Sequence, residues 1–301
     1  MASVHLAGDD GRMIDLRASD RTVLAALAVL VGQVSNGVGA AWAKSLFPVM
    51  GPEGVVALRI GFSAVLLGVV MGVWRLRLPR EHWGNLAGYG ICLGVMNSVA
   101  YQAFSRIPIG IGMAIEVTGP LTLVILGSRR ASDFLWLAGT VAGLALVLYP
   151  SAGIPPLSMV GIGFACCSAT CWAGYIVFGT RLARVGSGKV VAAGALLAST
   201  FVLPLGAVAS GKAMFNPESL ALGLGVAILT SALPYFLQML AMRQLPRTLY
   251  GVIAGGVPAV GAAMSYIVLG EQLAVRQWLG ICGVVVAAAG CTLGAAKAKA
   301  A

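Results

Sequence analysis

Polar residues are so sparse along this chain that it divides into apolar blocks of about 20 residues, the length a helix needs to cross a bilayer. Ten such blocks stand at 22–42, 55–73, 83–104, 109–127, 134–149, 159–179, 190–209, 220–242, 248–269 and 277–293. The intervals are short and carry the breakers: Phe47-Pro48 with Gly51-Pro52, Ile107-Pro108, Pro150 with Pro155-Pro156, Asn216-Pro217 and Leu245-Pro246. No interval has room for a soluble domain. The pattern predicts an all-α membrane protein of ten transmembrane helices, with polar tails at 1–21 and 295–301.

Composition sharpens this. Of 301 residues, 59% are hydrophobic and only 10% charged, which excludes an ordinary soluble domain. Gly139 with Gly143, and Gly251 with Gly255, are spaced for close helix packing within the molecule. A net charge of +10 would point to nucleic acid in a soluble protein. Here the Lys and Arg lie in the short intervals, where they set topology. With a cytoplasmic N-terminus only Lys44, Arg106, Lys212 and Arg276 fall outside, so both termini are expected in the cytoplasm and no nucleic-acid partner is expected. The tail mixes Asp9, Asp10, Asp15 and Asp20 with Arg12 and Arg17, unlike the basic start of a signal peptide. Ala41-Trp42-Ala43 resembles a cleavage site, but the block before it is long and carries Gln33 and Asn36, so cleavage is not expected. The six cysteines all fall inside apolar blocks without a CxxC pair and read as packing residues.

The two halves echo each other. Gly51-Pro-Glu-Gly-Val-Val-Ala57 parallels Gly186-Ser-Gly-Lys-Val-Val-Ala192. Ile107-Pro108 matches Leu245-Pro246, and Gly119-Pro120 matches Val257-Pro258, both about 138 positions apart. Leu126-Gly127 with Trp136-Leu137 parallels Leu269-Gly270 with Trp278-Leu279. Five helices per half is an odd number, so the second half enters the membrane inverted. The expectation is two inverted five-helix repeats, 22–149 and 150–294, as in many secondary transporters. Matched prolines in the fourth and ninth helices then mark interrupted helices that line a site.

Glu116 is the carboxylate placed well inside a block; Asp133 and Glu271 stand at block ends. A charge in hydrocarbon costs ~3 kcal/mol on insertion scales, so one that persists faces a cavity or a partner. It reads either as a group for proton coupling or a substrate ammonium, or as half of an ion pair with Arg59 or Lys44. Gly112, Glu116, Gly119 and Pro120 share one face by helical spacing. Arg59 either holds a substrate carboxylate or snorkels outward, and Lys44 reads as an interfacial anchor. Polar residues cluster on the first helix (Gln33, Ser35, Asn36), the third (Asn97, Ser98, Tyr101, Gln102) and the eighth (Thr230, Ser231, Tyr235, Gln238 around Pro234). Interhelical hydrogen bonding accounts for each cluster equally well. Trp172, Tyr175, Tyr250 and Tyr266 serve as aromatic cavity walls or as core. The candidate substrate-binding or coupling set is therefore Glu116, Arg59, Asn36, Asn97, Tyr101, Pro120, Trp172, Thr230, Tyr235 and Pro258. His5 and His82 lie in tail and interval, so no histidine relay is expected in the spans. No Walker A motif, dinucleotide fingerprint, HExxH or nucleophile elbow is present, so neither an enzyme, a cofactor nor a metal site is expected.

Ala43-Lys-Ser-Leu-Phe-Pro48, Trp74-Arg-Leu-Arg77, Glu116-Val-Thr-Gly-Pro120, Ser128-Arg-Arg130 with Asp133, and Ala232-Leu-Pro-Tyr235 resemble the bacterial threonine/homoserine exporters. Those form part of the ten-helix branch of the drug/metabolite transporter superfamily. The resemblance covers about residues 35–294, and Gly270-Glu271 is typical of the wider superfamily. The superfamily's matching Gly-Glu after the fourth helix is replaced here by Gly127-Ser128-Arg129, so no role is carried to that position. The resemblance implies a multi-pass protein of the bacterial inner membrane that exports amino acids, threonine and homoserine first, by alternating access. Its partners would be the amino-acid substrate, protons and the lipid bilayer. The alternative is an exporter or uniporter of aromatic amino acids, drugs or another small metabolite.

Overall fold

A computed structural model gives the fold and describes residues 5–7, 13–126, 131–149, 156–242, 245 and 247–300. Ser128, Arg129, Arg130, Pro150, Pro155 and Pro246 lie outside the described residues, as does the side chain of Asp133. Two short antiparallel strands, β1 (His5–Ala7) and β2 (Met13–Asp15), form a hairpin in the N-terminal tail. The rest of the described chain is helical apart from short connections, as at 76–79, 156–158 and 270–274.

Among the described residues, seven helical stretches are long and apolar enough to cross a membrane: Thr22–Ser45, Phe47–Met71, Met159–Ala183, Gly188–Phe215, Pro217–Gln238, Leu249–Leu269 and Val275–Gly294. Three of the ten predicted blocks fall short of that test. Helix α3 (Trp83–Phe104) has the length, but its glycines and Asn85, Asn97, Ser98 and Gln102 dilute its apolar character. Blocks 109–127 and 134–149 are represented by the shorter apolar stretches Ile109–Leu123 and Phe134–Leu148.

The breakers act unevenly. Phe47-Pro48 and Gly51-Pro52 were expected to form an interval, yet α2 (Phe47–Met71) runs through them after α1 (Leu16–Ser45). Pro48 sits in the first turn, where its missing N–H costs nothing, and Gly51 takes φ 69°, which kinks the helix so that Pro52 can start the next turn. The interval expected at 180–189 is likewise absent. Helix α7 (Met159–Ser210) is continuous over 52 residues and joins two spans without a break.

The prolines that do interrupt helices are those of the fourth, eighth and ninth blocks. α4 (Ile109–Glu116) gives way at Val117 to α5 (Thr118–Leu126), because Pro120 has no N–H for the Glu116 carbonyl. α8 (Pro217–Ala227) widens into a π turn at Ile228–Ala232 before Pro234 and α9 (Leu233–Met242). α10 (Arg247–Ala254) ends at Gly255-Gly256 before Pro258 opens α11 (Val257–Leu269). Polar side chains of α1 meet carbonyls at these breaks: Gln33 Nε2 donates to Ile253 O at 2.6 Å, which also accepts from the Gly256 amide, and Ser35 Oγ to Leu229 O at 2.7 Å. Helices α6 (Ala131–Leu148) and α12 (Val275–Ala300) pack together, with Gly143 against the backbone of Gly280. Gly139, Gly251 and Gly255 face Ala287, Thr292 and Ala288, so the spaced glycine pairs serve packing inside the molecule.

The main core joins α1, α2, α3, α4 and the second half of α7 through Ala41, Val55, Ala57, Tyr101, Ile109, Ile111 and Ala198. Large apolar side chains stand exposed on the outward faces, among them Val69, Val70, Leu135, Met159, Val208 and Val275. A water-soluble surface does not carry such a belt, whereas acyl chains solvate it.

Candidate functional site

Where α1, α2, α3, α4, α7 and α11 converge they leave a cavity of about 140 Å³. A cavity of about that size accepts one benzene molecule, so this one suits a small solute. Of the predicted site residues, Asn36, Arg59, Asn97, Glu116 and Trp172 line it together. The remaining wall comes from Ala40, Met96, Ala100, Phe104, Met113 and Val257, small or apolar residues that no motif marks.

Glu116 is the last residue of α4, immediately before the break, and is buried. Its carboxyl accepts a short hydrogen bond from Ser168 Oγ of α7. Ser168, fully buried, also lies 3.2 Å from the Met96 carbonyl of α3. A hydroxyl has one proton, so Ser168 serves one of these acceptors at a time. Lys44 pairs with Glu271, and Arg59 makes no ion-pair contact with Glu116. The pairing of Glu116 with Arg59 or Lys44 that the sequence left open is therefore not made.

Arg59 does not snorkel away from the bundle: its guanidinium is a wall of the cavity. Nη1 donates to Tyr101 Oη at 3.1 Å, and the guanidinium carbon lies 5.3 Å from the centre of the Tyr101 ring. Tyr101 is buried to 1% exposure between Phe47 and Phe104, so it holds Arg59 from behind and does not face the cavity. The site thus presents a guanidinium and a carboxylate that face one cavity without ion-pair contact, close enough for each to feel the other's charge. Such a pair matches the two charged ends of a zwitterion.

Other predicted members fall elsewhere. Thr230 is buried and donates to Val226 O at 2.7 Å within its own helix. Tyr235 stands outside the cavity beside Tyr175, whose hydroxyl takes part in a 2.7 Å bond from Tyr89. Pro120 and Pro258 act through the backbone: they break the two helices next to lining residues Glu116 and Val257. The small-residue face expected around Glu116 is spent on packing, with Gly112 against Phe104 and Gly119 against the backbone of Ala169. The break at Val117 separates these residues, so they do not form one continuous groove.

Lys44 also departs from its expected role. Instead of anchoring in the interface it reaches Glu271 Oε1 at 2.6 Å and the Ile107 carbonyl at 3.0 Å. Glu271 Oε2 accepts from the Ile109 amide at 3.0 Å. Near the same end, Gln102 donates to Glu53 and Arg106 to Gln102. No disulfide and no group of residues that could hold a metal occurs among the described residues.

The description of the EamA-like transporter family matches residues 159–293. The chain is 38% identical over 267 residues to the threonine/homoserine exporter RhtA of Salmonella typhimurium LT2, covering 89% of this chain and 90% of that protein. It is 38% identical over 265 residues to RhtA of Escherichia coli K12, covering 88% and 90%. A solved protein crystal structure shares the fold with a TM-score of 0.57 at 21% identity, covering 92% of this chain and 97% of that one.

Proposed function

The chain belongs to the threonine/homoserine exporter family, among the EamA-like transporters of the drug/metabolite transporter superfamily, and from that premise we propose that it exports amino acids across the bacterial inner membrane by alternating access. The observation that carries the reading is the cavity that Arg59 and Glu116 line together without closing an ion pair across it. Arg59 takes the substrate carboxylate, and its planar fork suits a bidentate grip. Glu116 takes the ammonium. Asn36 and Asn97 supply polar wall, while Trp172, Met96 and Met113 bound the side chain. Threonine and homoserine fit both the size of the cavity and the names of the relatives.

The same reading assigns ten spans, adding Trp83–Phe104 and the two shorter helices to the seven long ones. It assigns two inverted repeats, supported by the breaks at Val117 and Gly255-Gly256 beside prolines 120 and 258. Both termini are then cytoplasmic, and the end of the bundle that carries Lys44 and Glu271 faces the periplasm.

Efflux of labelled threonine, homoserine, methionine and phenylalanine from cells overproducing the protein, against empty-vector cells, tests the function. Faster loss of threonine and homoserine is expected. Unchanged loss of all four would move the substrate outside the amino acids while leaving the fold as described.

A further inference from the structure

Three walls of the cavity are fastened to one another at a single end of the bundle. Lys44 ends α1, which carries Asn36 and Ala40. Glu271 follows Gly270, whose φ of 66° ends α11 and turns the chain back over the bundle. Ile107 and Ile109 flank Pro108 at the start of α4 and are both buried to 1% exposure or less. Five polar atoms close the loop: Lys44 Nζ bonds Glu271 Oε1 and the Ile107 carbonyl, while Glu271 Oε2 accepts from the Ile109 amide.

The last bond gives the knot its reach. The Ile109 amide opens α4 and is one of the donors a helix leaves unsatisfied at its N-terminus. Glu271 therefore caps α4 across 162 positions of sequence. α4 is eight residues long and ends at Glu116, so cap and site lie about 10 Å apart on one rigid two-turn rod. A change at the cap is carried to Glu116 without any intervening loop.

Resting on the transporter reading above, we propose that Lys44 and Glu271 are the periplasmic gate of the pathway, and that the pair must part for substrate to leave. The structure holds this gate shut. Its polarity is fixed by the backbone as well as by the charges, because Lys44 faces a carbonyl and Glu271 an amide. Reversing the two charges would set a carboxylate against Ile107 O and an ammonium against Ile109 N–H, so a charge swap does not restore closure. Lys44→Arg does, since the guanidinium donates to both acceptors.

Ala40 lines the cavity and reports the gate. A membrane-impermeant thiol reagent is applied to Ala40→Cys protein, with the same chain lacking that cysteine as background for the native thiols. Labelling is measured from the periplasmic side of intact cells and from the cytoplasmic side in inverted vesicles. Glu271→Gln and Lys44→Met are expected to raise periplasmic labelling about tenfold and lower cytoplasmic labelling, because loss of the tie shifts the population toward the outward-open state. The double variant is expected to match either single one, since both remove the same tie. Lys44→Arg should label like the parent. Unchanged periplasmic labelling in Glu271→Gln, or labelling that rises from both sides as a loosened fold would give, overturns the proposal. The assay needs no substrate, so a failure of amino-acid export in the efflux experiment leaves its outcome readable.

Discussion

A charged side chain at the centre of a membrane bundle is costly unless its surroundings are built for it, and Arg59 shows how this is done. Its guanidinium keeps one face toward the cavity while Tyr101 receives one N–H and lies within cation–π distance. Tyr101→Phe keeps the ring and removes the acceptor. One hydrogen bond to a charged group is worth about 1.5–3 kcal/mol, so half-saturating substrate is expected to rise roughly tenfold or more with little loss of protein level. Arg59→Lys should do more damage, because an ammonium neither stacks on Tyr101 in the same way nor grips a carboxylate through two parallel bonds. Concentration-dependent uptake into inverted vesicles measures both. An Arg59→Lys protein with parental affinity would remove Arg59 from substrate binding. Arg59 and Glu116 were visible in the sequence because charge is rare in apolar blocks. Ser168 was not, since a serine after two cysteines carries no such contrast, and only the fold brings it to Glu116.

At the level of the helix, the same residue type does different work according to its place. Pro48 and Pro217 start helices, whereas Pro120 removes the N–H that would have answered the Glu116 carbonyl. Pro120→Ala supplies that N–H and is expected to leave stability unchanged or improved, by up to about 1 kcal/mol, while slowing transport through a stiffened α4–α5 joint. Gly119→Ala is expected to behave oppositely. A Cβ there meets the backbone of Ala169, which has no side-chain rotamer to yield. Overpacking of this kind costs about 1–3 kcal/mol, so the melting point of the detergent-solubilised protein should fall. Comparing melting points with efflux rates separates the two effects, and a Pro120→Ala protein that exports at the parental rate would show that the break is not used. Breakers were legible as places where a helix could yield. Where they did yield, partners in another helix stand ready: Gln33 and Ser35 donate to the carbonyls of residues 253 and 229 at the breaks. The uninterrupted α7 was illegible for the converse reason, because residues 180–189 hold no proline to force a break.

At the scale of the whole molecule, apolar length alone revealed a bundle of spans, since hydrocarbon leaves a chain few alternatives to the helix. Contacts between distant helices were beyond that pattern. Lys44 and Glu271 are 227 positions apart, and nothing in their local sequence aims one at the other. The proposed gate at Lys44 and the burial of Glu116, which shares its cavity with Arg59 but makes no ion-pair contact with it, together bear on how the proposed exporter would cycle. An ionised carboxylate sealed in the bundle without a counter-ion in contact is several kcal/mol unfavourable, so in the proposed cycle Glu116 is occluded either with a substrate ammonium or with a proton. On the proposed reading a proton replaces the substrate that leaves to the periplasm, and an inward proton gradient would drive export. Inverted vesicles turn the periplasmic face inward, so an acidic lumen should accelerate threonine accumulation in the parent protein. Glu116→Gln has no group to exchange and should show no acceleration, whatever residual transport it retains. If the Glu116→Gln protein inserts, transports and responds to the gradient as the parent does, the proton is carried elsewhere and Glu116 serves the ammonium alone.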